Sequence, residues 1–207
     1  MEFGEVVRRR RMVRNYTDDP VDGDALDRVL DRAQRGPSAG FSQGVSFVVV
    51  TDADRRREIA RLAHEDEYVN DGFDPWVSRA PVHVVVCVSK ATYLERYGEA
   101  DKGGPDSPAA TDEGWPVPYW WVDAGASMML LLLAAVDEGL AAGFLGSHNL
   151  QDLSVLLDIP DDVAPIGIVT IGHPASDRRS GSLARGRRPD TVHRERWNGS
   201  QRERSDE

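Results

Sequence analysis

Arg10-Arg11-Met12-Val13-Arg14-Asn15-Tyr16, followed shortly by Pro20-Val21, sets three guanidinium groups within five residues, just ahead of the first segment with helical spacing. Arg8 and Arg9 precede it, and at the far end of the chain Arg185, Arg187 and Arg188 form a second basic run. Residues 1–14 and 178–207 together carry 14 Lys and Arg against 7 Asp and Glu, whereas residues 15–177 carry 11 against 28. An acidic chain that keeps its arginines at both ends either brings those ends to one anion or leaves two solvated basic tails. Guanidinium forks match phosphate oxygens well, which favours the first reading once the neighbouring motifs agree.

The 207 residues suit a single domain with a sizeable core, expected over 1–197, with a disordered tail at 198–207. A net charge of −10 argues against general nucleic-acid binding, which needs a broad basic face. Cys87, the lone cysteine, lies in Val84-Val85-Val86-Cys87-Val88 and reads as a buried structural thiol. The charged N-terminus lacks the apolar core of a signal peptide, so a cytoplasmic location is expected. The uncharged stretch Ala124 to Val136, bounded by Asp123 and Asp137, is shorter than the roughly 18 apolar residues of a membrane span and reads as a buried helix. The five histidines are scattered, with none at the spacing that puts two ligands on one helical face, and no metal site is expected.

Outward from the opening arginines, Asp22-Gly23-Asp24 makes a turn whose last residue can cap a helix, and Leu26, Val29, Leu30 and Ala33 recur at helical spacing. The loop Gly36-Pro37-Ser38-Ala39-Gly40 ends that helix. Strands are expected at Phe47–Val50, Val82–Val88 and Pro165–Ile171, and further helices at about 55–64 and 150–157. Residues 65–80 read as irregular. Residues 102–118, rich in Gly, Pro and Asp, read as a lid or mobile insertion whose end, Trp115 to Trp121, is anchored by packing. Gly143-Phe144-Leu145-Gly146 reads as a turn. The class is α+β or α/β.

Three separated segments resemble one pattern, that of the nitroreductase-like flavoprotein family. Arg10-Arg11-Met12-Val13-Arg14-Asn15-Tyr16 is similar to the Arg-Arg-Ser-x-Arg-x-Phe opening of that family. Gly36-Pro37-Ser38-Ala39-Gly40-Phe41-Ser42-Gln43 is similar to its Ala-Pro-Ser-x-x-Asn-x-Gln loop, and Ile159-Pro160, Ile171-Gly172-His173-Pro174 and Arg185-Gly186-Arg187-Arg188-Pro189 resemble its closing sequence. The resemblance spans nearly the whole chain. It implies an α+β fold with a central mixed, mainly antiparallel sheet flanked by helices, in a homodimer with FMN at the subunit interface. It also implies oxidation of NAD(P)H and ping-pong transfer of electrons to a nitro compound, quinone or activated alkene, with no nucleic acid or membrane as partner.

The cofactor-binding residues it implies are Arg10, Arg11, Met12 and Arg14 at the phosphate and ribityl chain, with Arg185 and Arg187 from the closing run. Pro37, Ser38, Ala39, Phe41 and Gln43 would lie along the ring, and Leu145 and Gly146 over its other face. For Gly143 to Gly146 a glycine cap and core turn is the competing reading. No catalytic acid or base is assigned. Phe41 stands where the family usually has Asn, and Met12 where it usually has Ser, so flavin affinity or tuning is expected to differ, or a deazaflavin to replace FMN. Two other roles stay open: a non-catalytic flavin-binding or storage protein, and an enzyme that consumes flavin to form dimethylbenzimidazole. Arginine ends docking an acidic protein are a further alternative. His148 faces either the site or solvent, and His173 reads as structural.

Overall fold

The valine-rich run becomes β2 (Val82–Ser89), an inner strand of a four-stranded sheet in the computed structural model, which describes residues 1–146, 150–176, 181–189 and 191–197. The chain divides into two units, residues 1–177 and 178–207. The sheet, in the first unit, has the order β1-β2-β4-β3, with β1 Val45–Val50, β3 Ala141–Leu145 and β4 Val163–Gly172, all pairs antiparallel. A parallel bridge joins Met12, outside these strands, to Ala142 of β3. The fold is α+β, a central antiparallel sheet flanked by helices, as the resemblance implies.

Both faces of β2 are covered, so it reads as a continuous apolar run instead of an alternation. Val82, Val84 and Val86 join one core with Leu26, Val29 and Ala33 of α2 (Gly23–Ala33) and Leu131, Leu132 and Ala135 of α6 (Tyr119–Asp137). Val85 and Cys87 join the other, with Ile59 and Ala60 of α3 (Ala53–Leu62) and Leu153 of α7 (Leu150–Leu156). Burial pushes the Cys87 thiol up to about 11, which keeps it protonated and unreactive.

Several expectations are corrected. Asp22, not Asp24, caps α2, its carboxylate accepting from Ala25 N–H at 2.9 Å. Helix α1 (Phe3–Arg9) precedes the opening motif, and α4 (Glu65–Asn70) and α5 (Lys90–Tyr97) occupy segments that carried no helical expectation. Residues 141–145 are a strand, not a turn. Helix α6 starts five residues earlier than the uncharged stretch and reaches 19 residues, long and apolar enough by composition to cross a membrane; here it packs on α2 and the sheet. The expected tail at 198–207 lies outside the described residues.

His83 carries a consequence for stability. It is fully buried, and its Nε2–H donates to the Val77 carbonyl at 2.7 Å, while Nδ1 is buried without a partner among the described residues. Burial lowers its pKa to about 4, outweighing the upward pull of that hydrogen bond. The unfolded histidine titrates near 6.5. As pH falls from about 6.5 towards 4, the unfolded chain gains a proton that the folded chain refuses, so stability is full above this window and is lost through it. Urea unfolding at pH 7.5 and 4.5 is expected to show wild type losing roughly 2–3 kcal/mol more than His83→Gln, which keeps an N–H donor without titrating. Equal losses in the two proteins would remove His83 from the account.

Candidate functional site

Residues 12–17 have little regular structure, yet hydrogen bonds fix them along the sheet edge. Val13 N–H donates to Ala142 O at 3.0 Å, Thr17 N–H to His173 O at 3.0 Å, and Ala175 N–H to Asn15 O at 3.2 Å. The buried Tyr16 hydroxyl lies 2.8 Å from Thr170 Oγ1 and donates towards Val13 O at 3.0 Å, and Arg79 donates to Asn15 Oδ1 at 2.9 Å. Gly143 permits this approach, since a Cβ there would stand 2.4 Å from Val13 O. Thus Arg14 is carried over the Trp76 ring, its guanidinium carbon 5.7 Å from the ring centroid, a cation–π geometry.

Trp76 is itself held. The buried Glu65 carboxylate accepts from Trp76 N–H at 2.6 Å, Val77 N–H at 2.5 Å and Ser78 N–H at 3.1 Å. Arg14, Trp76 and Tyr68 border a hollow of about 220 Å³ with Phe144, Leu145 and Gly146 of the β3 end. The predicted residues Arg14, Leu145 and Gly146 therefore meet. Arg10 caps the end of α1, and Arg11 lines a separate hollow with Arg9 and Pro174. Met12 is partly buried against the α2/α6 core.

The second predicted cluster lies elsewhere. Pro37, Ser38, Phe41 and Gln43 line a cleft of about 280 Å³ with Phe47 of β1 and Ser127 of α6. Here the backbone is unusual: Gly40, Phe41 and Gln43 have φ of 63°, 58° and 57°. That left-handed region costs an ordinary L-residue roughly 1–2 kcal/mol and is tolerated better by Asn, so Phe41 departs from the family residue at the place where Asn suits the backbone. Phe41 is 74% exposed. The turn is closed by Phe41 N–H to Ser38 O at 2.8 Å, Ser42 Oγ–H to Ala39 O at 2.7 Å, and Gln43 N–H to Ser38 Oγ at 2.7 Å.

An anchor that sequence reasoning missed sits beneath this turn. Asp123, 3% exposed within apolar α6, accepts from Ala39 N–H at 2.8 Å and from the Tyr93 hydroxyl at 2.9 Å. Burial first, then the adjoining carboxylate, holds the Tyr93 phenol well above its ordinary range, so it remains a donor. The signal was a carboxylate one turn into a helix that carries no other charge before its last residue, Asp137.

The two clusters occupy opposite places. Phe47 and Val45 belong to edge strand β1 and Phe144 and Leu145 to edge strand β3, three inter-strand steps apart, roughly 14 Å. Ser127 marks the α6 face for the first cleft, whereas Trp76 and Val77 mark the α3/α7 face for the second.

Residues 99–118 pack instead of standing as a free lid. Arg96 pairs with Asp101 and donates to Gly40 O at 3.0 Å, and Lys90 pairs with Asp112. Trp115 donates to Ala109 O at 2.8 Å and meets Tyr93, Tyr97, Tyr119 and Trp120 edge-on. A further hollow of about 330 Å³, bordered by Ala39, Tyr97, Trp115, Val117 and Tyr119, adjoins the 36–43 loop. In the second unit Arg185 ends a short turn, Gly181–Arg185, and Arg187 is exposed. His148 lies outside the described residues. His173 Nε2 lies 3.3 Å from Pro20 O.

Comparison with known proteins gives the pattern a family. The model for the nitroreductase family matches residues 7–173. The FMN reductase, NAD(P)H, of Bacillus subtilis (strain 168) is 32% identical over 168 residues, 80% of this chain and 63% of that protein. The NADPH-flavin oxidoreductase of Vibrio harveyi is 26% identical over 172 residues, 82% of this chain and 65% of that protein. The crystal structure of a nitroreductase family protein from Streptococcus pneumoniae TIGR4 superposes with a TM-score of 0.70 at 24% identity, covering 86% of this chain and 94% of that one, and so shares the fold. With the family match running across most of its length, the chain belongs to the nitroreductase family of oxidoreductases.

Proposed function

We propose that the chain is a cytoplasmic, homodimeric FMN-dependent oxidoreductase that oxidises NAD(P)H and passes the electrons, in a ping-pong cycle, to a small organic acceptor. The observation that carries this reading is the split site. Arg14, Leu145 and Gly146 line one hollow, and Pro37, Ser38, Phe41 and Gln43 line another at the opposite sheet edge and face. At about 280 and 220 Å³ each is smaller than the roughly 300–1,000 Å³ usual for a ligand pocket. Two copies related by a twofold axis supply both halves to each of two rings.

The donor set fits FMN. Trp76, Tyr68 and Phe144 give the β3 hollow aromatic walls, Arg14 gives it a permanent cation, and the 36–43 turn offers small residues and backbone to a flat ring. When bound, FMN supplies hydride acceptance and electron donation. The chain's own residues bind and orient: Arg10 and Arg14 neutralise anionic charge, and Arg185 and Arg187, exposed in the second unit, are candidates for phosphate by charge. The Trp115 hollow beside Ala39, whose lining has no charged side chain, suits an uncharged aromatic or quinonoid acceptor. The names of the Bacillus and Vibrio relatives agree in flavin and nicotinamide nucleotide.

The outer face of α6 supports dimerisation. Val122 is 49% and Met129 41% exposed, Gly125 between them faces open space, and Trp121, with Phe3 and Val7 of α1, adds exposed apolar surface. The helix has no charge between Asp123 and Asp137, as expected of a surface that meets another copy. Anaerobic addition of NAD(P)H to the FMN-loaded protein tests the function: the flavin absorption bands are expected to bleach and to return when a quinone is added.

A further inference from the structure

We propose that Asp123, backed by Tyr93, is a positioning residue that sets the reduction potential of the flavin, an inference that rests on the FMN reading above. A buried carboxylate is costly, and a well-packed apolar group of similar volume is often as stabilising or more so. Asp123 nonetheless sits within α6 at 3% exposure, and its Oδ2 gathers two donors, Ala39 N–H at 2.8 Å and the Tyr93 hydroxyl at 2.9 Å. The first ties it to the turn read as lying along the ring, and the second fixes the carboxylate from behind.

Two effects follow. The bond to Ala39 fixes the Ser38–Ala39 peptide, and with it a turn in which Gly40, Phe41 and Gln43 hold left-handed conformations that a free loop would relax. The carboxylate also places a negative charge one hydrogen bond behind that turn. A reduced flavin carries added negative charge, so Asp123 disfavours the reduced form and lowers the potential. The cationic Arg14, on the other cluster, acts in the opposite sense. Tyr93 tempers the carboxylate by donating to it, and its fully buried ring adjoins Trp115 and Trp120.

The test is the two-electron midpoint potential of the FMN holoprotein at pH 8, measured by dye equilibration for wild type, Asp123→Asn and Tyr93→Phe, with the FMN dissociation constant and far-UV circular dichroism for each. Asp123→Asn is expected to raise the midpoint by about 30 mV, equivalent to tenfold tighter relative binding of reduced FMN. Tyr93→Phe is expected to lower it, because the carboxylate loses its shielding donor. Mere loosening of the turn would move both variants the same way. Shifts of the same sign, or no shift in folded variants that retain FMN, overturn the proposal; should Asp123→Asn fail to fold, the sign for Tyr93→Phe decides. A wild-type protein that takes up no FMN would instead refute the functional reading, which keeps the two failures apart.

Discussion

Replacing Val122 and Met129 together with glutamate is expected to leave a folded monomer that has lost FMN affinity by at least about 100-fold. Both side chains are about half exposed, so the chain itself tolerates the change. Between two copies the new carboxylates would be buried without partners, at a cost of several kcal/mol per ion. Loss of the interface would then strand Arg14 and its hollow from the 36–43 turn of the other copy. Sedimentation velocity at micromolar concentration, FMN fluorescence titration and circular dichroism measure the three quantities. A variant that stays dimeric and keeps FMN would move the interface away from the outer face of α6.

Arg14→Ala is expected to weaken FMN binding by roughly 10- to 100-fold, in keeping with the 1.5–3 kcal/mol of a charge-assisted hydrogen bond. Arg14→Lys is expected to recover only part, because an ammonium keeps the charge but cannot lay a planar fork over Trp76. Removal of the Arg14 side chain also uncovers Trp76, so thermal unfolding should accompany the titration. Intact affinity in Arg14→Ala would show that the β3 hollow does not hold the cofactor's charge.

The residues that were legible and those that were not differ for physical reasons. β2 was plain because a strand covered on both faces needs apolar residues almost throughout, and Val82–Val88 has them everywhere but at His83. β3 was hidden: Ala141-Ala142-Gly143 has weak strand propensity, and Gly143 is there because the carbonyl of Val13 crosses so close, a tertiary demand that reads locally as a turn. The N-terminal and 36–43 motifs were legible as pieces of one pattern, but the placement of their residues at opposite edges of the sheet was not, because it depends on strand order. Asp123, Glu65 and Trp76 carry no motif. Each acts on backbone or side chains distant in sequence, Asp123 on Ala39 and Glu65 on residues 76–78, and such partnerships become visible only when the chain is folded.

The most direct test of the central claim is the visible spectrum of the FMN-loaded protein before and after NAD(P)H is added without oxygen. Flavin bands that bleach on addition and return with a quinone are the result the account predicts. Bands that persist, or a protein that takes up no flavin at all, would contradict an NAD(P)H oxidoreductase, the first outcome pointing to flavin storage or consumption and the second to loss of the cofactor site.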